Sequence, residues 1–331
     1  MELILSVLII IAIANAGSYT AGRLKLPGII GLIAAGILLG MPMVREELYG
    51  GHEHFIKTMG NAGLFALMFL AGLNSSPHLL YRERRNAAVI AVGGFITPLI
   101  LGAALFVFLG YSFTISLIMG ICLSISAEAT RAKVLMELGK IQTKVGSVLI
   151  GAGLVDDGIG MIVFLGVILA AGVLSIGELV IIAATLASFF LGMGIKILRK
   201  KDTLPFSLEK ILSFSIVPFF FVSLGLYFEF EMFSLSPYLL ITVLAAAIIT
   251  KLAGAFVIKP FVNLNFRQLH LVGWAMNSRG AIEMAIAMIA VRAGLINNNL
   301  YSALIVMAAF TTFIFPFVIN AMLKKYPDIM E

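Results

Sequence analysis

Long apolar runs occupy most of this chain, and short stretches rich in polar residues, glycine or proline separate them. Apolar runs of this length that hold few charges predict helices that cross a membrane. The pattern predicts eleven spans, near residues 2–16, 28–42, 58–76, 87–108, 114–138, 146–172, 178–198, 211–228, 236–258, 268–292 and 300–323. We therefore expect an all-α polytopic membrane protein.

Basic residues divide the connections between these spans into two classes. Every second connection, starting with 17–27 and ending with the C-terminal tail, belongs to a set that carries 15 Lys and Arg residues. The remaining connections carry 2, Arg45 and Lys57. Because basic loops stay in the cytoplasm, we expect a cell-membrane protein with its N-terminus outside and its C-terminus inside.

Composition narrows the function classes. The chain is 61% hydrophobic and 12% charged, whereas soluble domains carry about 25% charged residues. The formal charge of +6 is explained by topology and contact with anionic lipid, so we expect no nucleic-acid partner. The sequence lacks a G-x-x-x-x-G-K-[ST] loop and a Cys/His cluster. We therefore expect no nucleotide, no cofactor and no enzymatic activity.

Two adjacent aspartates, Asp156 and Asp157, interrupt the apolar sixth span. A charged side chain at the bilayer centre costs roughly 2.5–3.5 kcal/mol on insertion scales. Two carboxylates in succession therefore need a basic partner, a proton or a bound cation. Lys251, in the ninth span, supplies one buried basic group. The pair is the leading candidate for the place where the protein handles ions.

Polar residues also interrupt the fifth and tenth spans. The fifth contains Ser124, Ser126, Glu128 and Arg131, and the tenth contains the run 277–283 with Arg279, Gly280 and Glu283. Each interrupted span is followed by one long apolar span, and interrupted helices in matching positions of two halves indicate an inverted-repeat transporter with its site at the midplane. Glu128 and Arg279 suit the positive and negative ends of the half-helices, respectively.

With these residues the chain resembles the cation:proton antiporter superfamily, specifically its double-aspartate Na⁺/H⁺ exchangers of the NapA, NhaA and Kef membrane-domain kind. The resemblance covers nearly the whole chain, which has two helices fewer than the family usually has before the Pro218 helix. The matching segments are Ser126–Leu135, Glu137–Gly139, Gly153–Gly160, Pro218–Gly225, Thr250–Gly254 and Ser278–Gly280.

The resemblance implies roles for individual residues. Asp157 would bind the transported cation or its protons, and Asp156 would pair with Lys251 in one state of the cycle. Ser126, Thr130 and Asp157 would supply oxygen ligands for Na⁺. Electroneutral relatives carry Asn at the position of Asp156, so the resemblance implies electrogenic exchange of more than one proton per Na⁺. Glu128, Arg279 and Glu283 would balance the dipoles of the broken helices.

The resemblance also implies a division of one transport domain, residues 1–331, and a homodimer in the lipid bilayer. The expected parts are a scaffold at 1–76, a first core half at 87–172, a linker helix at 178–198, a scaffold or core helix at 211–228 and a second core half at 236–323. Four alternatives stay open: a K⁺/H⁺ exchanger, an organic-anion/Na⁺ symporter of related architecture, a channel, and a non-transporting membrane subunit whose charges form a buried network.

Overall fold

The computed structural model describes residues 2–24, 26–49, 52–74, 83–172, 176–198 and 206–331. Every regular element in these ranges is helical, which confirms the predicted all-α class. In chain order the helices are α1 (Glu2–Arg23), α2 (Gly28–Gly40), α3 (Pro42–Tyr49), α4 (Glu53–Asn74), α5 (Arg84–Phe108), α6 (Phe113–Ser124), α7 (Glu128–Glu137), α8 (Lys144–Ala171), α9 (Ile176–Leu198), α10 (Phe206–Ile211), α11 (Val217–Gly225), α12 (Met232–Leu235), α13 (Pro237–Val257), α14 (Phe266–Ala275), α15 (Ala281–Arg292) and α16 (Asn298–Lys325).

In the described ranges, 7 helices are long and apolar enough to cross a membrane by length and composition: α1, α4, α5, α8, α9, α13 and α16. Two shorter helices, α2 and α6, are also apolar. The predicted fifth span is divided into α6 and α7, and the predicted tenth span into α14 and α15. The count of eleven spans and the inverted repeat stay predictions.

The helices form two compact units. One contains α1 to α4 with α9 to α11, and the other contains α5 to α8 with α12 to α16. The assignment of scaffold, linker and core roles to these parts of the chain stays a prediction.

Small residues allow α2 and α11 to pack closely in the first unit. A side-chain carbon at Gly36 would overlap the backbone carbonyl of Phe221, and one at Gly225 would overlap the carbonyl of Gly36. Glycine at such positions lets two apolar helices approach backbone to backbone, which is how helices commonly associate in membranes. Replacing either glycine would push α2 and α11 apart.

The predicted end of the first helix was wrong. Residues 17–20 are small or polar and suggested an end near residue 16, yet α1 continues to Arg23. The Thr20 hydroxyl donates a hydrogen bond to the Ala16 carbonyl oxygen at 2.7 Å. A hydroxyl that is satisfied within its own helix does not terminate it, so hydropathy alone placed the boundary too early.

A π-helical turn at Leu212–Ile216 joins α10 to α11. Pro218 has no backbone N–H, so the Phe214 carbonyl four residues earlier cannot receive the usual helical hydrogen bond. The Asn15 side-chain amide donates to this carbonyl oxygen at 2.9 Å and to the Ile11 carbonyl oxygen at 2.7 Å. Asn15 on α1 therefore satisfies an acceptor that the proline leaves open.

The core of the second unit is a buried apolar cluster that places α8 in its centre. Val148, Leu149 and Ala152 on α8 pack with Val272 on α14 and Phe315 on α16. The Thr143 hydroxyl accepts a hydrogen bond from the Gly146 backbone N–H at 3.1 Å and so caps the start of α8. This packing holds the middle of α8, where both aspartates lie, inside the unit.

Candidate ion-binding site

The two interrupted spans meet at their non-helical segments. The Ala127 backbone N–H, between α6 and α7, donates to the Ser278 carbonyl oxygen, between α14 and α15, at 2.8 Å. A side-chain carbon at Gly280 would lie 2.6 Å from the Ala127 Cβ. Glycine at position 280 therefore permits the close contact, and the backbone groups freed by each break partly satisfy each other.

Arg279 neutralises the carboxyl end of α6. Its guanidinium donates to the carbonyl oxygens of Cys122 at 3.0 Å and Leu123 at 2.7 Å, and also to that of Ile125. The last carbonyls of a helix carry the negative end of its dipole. Glu283, one turn along α15, lies 3.7 Å from the Arg279 Nε, so the cation also has a nearby carboxylate.

Lys251 reaches the same carboxyl end from α13. Its Nζ donates to the Ser124 carbonyl oxygen, the last of α6, and to the Gly94 carbonyl oxygen at 2.9 Å. The same atom lies 3.7 Å from Asp156 Oδ2, and both side chains are fully buried. The Ser126 hydroxyl donates to Asp156 Oδ2 at 2.5 Å. Asp156 is thus engaged by two groups on Oδ2, whereas its Oδ1 is buried without a hydrogen-bond partner.

Asp157 has fewer partners than its neighbour. It is 4% exposed, and its Oδ1 atom is buried without a hydrogen-bond partner. The charges that act on it are those of Glu128, Asp156, Arg131 and Lys251. A buried carboxylate oxygen without a donor is costly unless a proton or a cation satisfies it.

Arg131 and Glu128 approach α8 from the first turn of α7. A side-chain carbon at Gly153 would overlap the Arg131 Nη2 and lie 3.1 Å from the Glu128 Cγ. Arg131 is fully buried; its Nε donates to the Ala127 carbonyl oxygen at 3.2 Å and its Nη1 contacts the Met276 sulfur. Both charged groups therefore lie one helical turn before Asp157.

The buried charges of the described residues belong to one set. The buried Asp, Glu, Lys and Arg side chains are Glu128, Arg131, Asp156, Asp157, Lys251, Arg279 and Glu283. Four are acidic and three are basic, so the fully ionised set has an excess of one negative charge. A single proton or monovalent cation would neutralise it.

A model of the sodium/hydrogen exchanger transmembrane family matches residues 6–172 and 163–325. The chain belongs to this family. The match confirms the resemblance to the cation:proton antiporter superfamily drawn from the aspartate pair and the two interrupted spans. Members of the sodium/hydrogen exchanger family are membrane transporters, and the long apolar helices of this member place it in a lipid bilayer.

Two curated relatives extend along almost the whole of this exchanger. It is 24% identical to the Na⁺/H⁺ antiporter of Enterococcus hirae, with 98% of this chain and 99% of the relative covered. It is 23% identical to the Na⁺/H⁺-K⁺ antiporter GerN of Bacillus cereus, with 93% of each covered. The sodium proton antiporter MjNhaP1 of Methanocaldococcus jannaschii shares its fold, with a TM-score of 0.67, 15% identity and 98% of both chains covered.

The structure brings together most of the residues that the sequence predicted for this exchanger's site. Asp156 lies beside Lys251 and Ser126, and Arg279 lies beside Glu283. Ser126 donates to Asp156, although it was expected as a ligand of an ion held by Asp157. Thr130 is buried on α7, and its role as a ligand stays a prediction.

Sequence reasoning left Arg131 and Asn277 outside the predicted site. Arg131 follows Glu128 by three residues, and that spacing on a helix was the available signal. Asn277 lies in the second break with 2% exposure, and neither its amide nitrogen nor its oxygen has a hydrogen-bond partner. A polar residue beside a predicted break is the corresponding signal for Asn277.

Proposed function

We propose that this protein is an electrogenic Na⁺/H⁺ antiporter that works by alternating access and exchanges more than one proton for each Na⁺. The observation that carries the exchange is the single excess negative charge of the buried set. The electrogenic part depends on the Asp156–Lys251 pair, which can take up a second proton. A net charge is unfavourable in a membrane interior, so the set favours one bound cation or proton. Na⁺ and H⁺ then compete to neutralise the same negative charge, and an antiporter can exchange the two ions through such competition.

Asp157 is the proposed ion-binding carboxylate. The Oδ1 atoms of both aspartates are buried without a donor. Asp156 already receives the Ser126 hydroxyl and faces the Lys251 ammonium through its Oδ2, so Asp157 has fewer competing partners among the described residues. Hard cations take oxygen ligands, and Thr130 and the backbone carbonyls of the first break complete the proposed shell. Ser126 donates its proton to Asp156 and keeps lone pairs that a cation can use.

Asp156 and Lys251 are the proposed electrogenic pair. Their pairing describes one state of the cycle, and protonation of Asp156 or withdrawal of Lys251 describes the other. The Gly94 and Ser124 carbonyl oxygens also hold the Lys251 ammonium. The lysine therefore keeps polar partners when Asp156 no longer serves it, which makes a two-state pair physically reasonable.

The test is transport by the purified protein in liposomes that enclose a pH-sensitive dye. We expect a Na⁺ pulse to change the internal pH with wild type and to produce no change with Asp157→Asn. The matched control is Asp328→Asn, which makes the same substitution at an exposed position of the C-terminal tail and should keep wild-type activity. Size-exclusion chromatography checks that all three proteins are folded.

Several outcomes would contradict the proposal. A response to K⁺ without a response to Na⁺ would assign K⁺/H⁺ exchange. The name of the GerN relative includes K⁺. Folded wild-type protein that responds to no cation would indicate a non-transporting subunit. Sustained conductance without pH change would indicate a channel, and Na⁺ uptake that requires an organic anion would indicate a symporter.

The proposed setting is the cell membrane, with the N-terminus outside, the C-terminus inside and two chains in a homodimer. The 15-to-2 distribution of Lys and Arg between the two sets of connections supports the orientation. The family resemblance supports the dimer. Cysteines introduced at each terminus of the chain, labelled with a membrane-impermeant reagent in intact cells, would test the orientation.

A further inference from the structure

A cavity of about 570 Å³ opens among α13, α14 and α16 of the second unit, and its lining contains no member of the buried charge set. Phe256 on α13, Trp274 on α14 and Met322 on α16 line its apolar part. Arg267 and Lys325 line its polar part. The cavity thus combines an apolar wall with a basic rim.

The two basic residues of the rim share one aromatic ring. The Arg267 guanidinium carbon lies 4.6 Å from the centroid of the Tyr326 ring, and the Lys325 ammonium lies 5.5 Å from the same centroid. Neither side chain has a carboxylate partner among the described residues. Glu331, a nearby carboxylate, is bonded to Lys140 at 3.4 Å. Two cations on one aromatic ring repel each other, so an anion between them would be stabilised.

The apolar wall distinguishes a lipid from a small anion. Trp274 and Tyr326 are residue types that concentrate at the boundary of the hydrocarbon layer. Phe256 and Met322 extend the surface on which an acyl chain could pack. Basic pockets between transmembrane helices on the basic side of a membrane protein bind phospholipid head groups. A free phosphate would use the rim and leave this wall uncovered.

We propose that this cavity is a binding site for an anionic phospholipid, with the lipid phosphate between Arg267 and Lys325 and an acyl chain against Trp274. The site is separate from the ion-binding residues, and its occupation does not depend on the transport proposed above. Trp274 precedes Met276, whose sulfur contacts Arg131, by two residues. A bound lipid would therefore stabilise α14, the helix that precedes the second break.

The chain has 1 tryptophan, so the fluorescence of Trp274 reports on this cavity without any engineering. Protein is reconstituted into phosphatidylcholine vesicles that contain a small fraction of lipid with dibrominated acyl chains, which quench tryptophan at contact. We expect dibrominated phosphatidylglycerol to quench more strongly than dibrominated phosphatidylcholine at the same fraction. Arg267→Gln combined with Lys325→Gln should lower the preference about 10- to 30-fold, since each basic residue near the surface contributes roughly 1 kcal/mol.

Two controls keep the test specific. Arg84→Gln combined with Lys324→Gln removes two other basic residues from the predicted basic side, outside the cavity lining, and should leave the preference unchanged. The conservative pair Arg267→Lys and Lys325→Arg should retain it. Equal quenching by the two lipids in wild type, or a preference that survives in the Gln pair, would overturn the proposal. Loss of the preference when millimolar glycerol phosphate is added would assign the site to a soluble anion instead.

Discussion

Glu128 and Arg131 are the two charged residues of α7 that lie close to the aspartates of α8. Both lie against Gly153, one helical turn before Asp157, and the charges of both act on Asp157. They contribute one negative and one positive charge, so together they leave the balance of the set unchanged. Either one alone would alter that balance by a full unit.

Neutralising these residues singly should move the apparent Na⁺ affinity in opposite directions. Glu128→Gln removes the excess negative charge, and we expect the KM for Na⁺ to rise. Arg131→Gln adds to the excess, and we expect the KM to fall. Each shift should be about 5- to 30-fold, which corresponds to roughly 1–2 kcal/mol for a unit charge at this range in a partly polar interior. Na⁺ titrations of proteoliposome activity measure both values.

The double variant, with Gln at both positions, is the internal control because it restores the charge count. Its KM should return to within about threefold of wild type, because two opposite effects of similar size cancel when they add, and the mutant cycle measures any departure from that sum. Single variants that shift KM in the same direction would indicate lost packing rather than lost charge. A double variant worse than both singles would indicate the same.

At the residue scale, the sequence anticipated a contact between buried groups of opposite charge. Asp156 and Lys251 are opposite charges in apolar spans, and the family resemblance implied that they pair; the structure places them 3.7 Å apart. The contacts of Lys251 with the Gly94 and Ser124 carbonyls could not be anticipated. They join residues 157 and 127 positions apart and depend on how three helices, α5, α6 and α13, are arranged.

At the scale of the helices, the sequence predicted where helices break but did not predict how they pack. Charges and hydroxyls in the middle of apolar spans predicted both breaks, because such groups suit backbone that lines a polar site. Hydropathy did not predict that α6 would present its carboxyl end to both Arg279 and Lys251. It also did not predict the π-helical turn before Pro218, where the Asn15 side chain donates to the Phe214 carbonyl.

Gly280 is the element-scale position whose replacement should be most harmful. In Gly280→Ala the new methyl would lie 2.6 Å from Ala127 Cβ, so the two breaks would have to separate. Overpacking of this kind costs typically 1–3 kcal/mol. We expect a lower melting temperature in a detergent thermal-shift assay, together with reduced Na⁺/H⁺ exchange, because the break positions Arg279.

Gly166→Ala on α8 is the matched control, since a side-chain carbon there meets nothing within 4 Å. Alanine favours helix over glycine by roughly 0.8–1.0 kcal/mol, so the melting temperature should stay the same or rise. Equal melting temperatures of the two variants would show that the contact between the two breaks tolerates a methyl group. The importance assigned to the close approach of Gly280 and Ala127 would then be wrong.

At the scale of the whole molecule, this chain is shorter than its alignment with one of its relatives. The alignment with the Enterococcus hirae relative is 387 residues long, whereas this chain has 331, so the relative contains segments that this chain lacks. The described residues nevertheless include both breaks, the aspartate pair and the lysine. That the chain has two helices fewer than its family usually has stays a prediction, because hydropathy can place spans along the chain but does not show how chains assemble.

The single excess negative charge has a consequence for the response to membrane voltage. With one Na⁺ bound the buried set is neutral, whereas with two protons bound it carries one positive charge. A potential of 100 mV contributes about 2.3 kcal/mol per charge that crosses, so it should drive the proton-loaded half of the cycle and leave the sodium-loaded half unaffected. Charge-translocation currents on a solid-supported membrane should therefore follow proton jumps, and a current of equal size in Na⁺ half-turnovers would contradict this charge count.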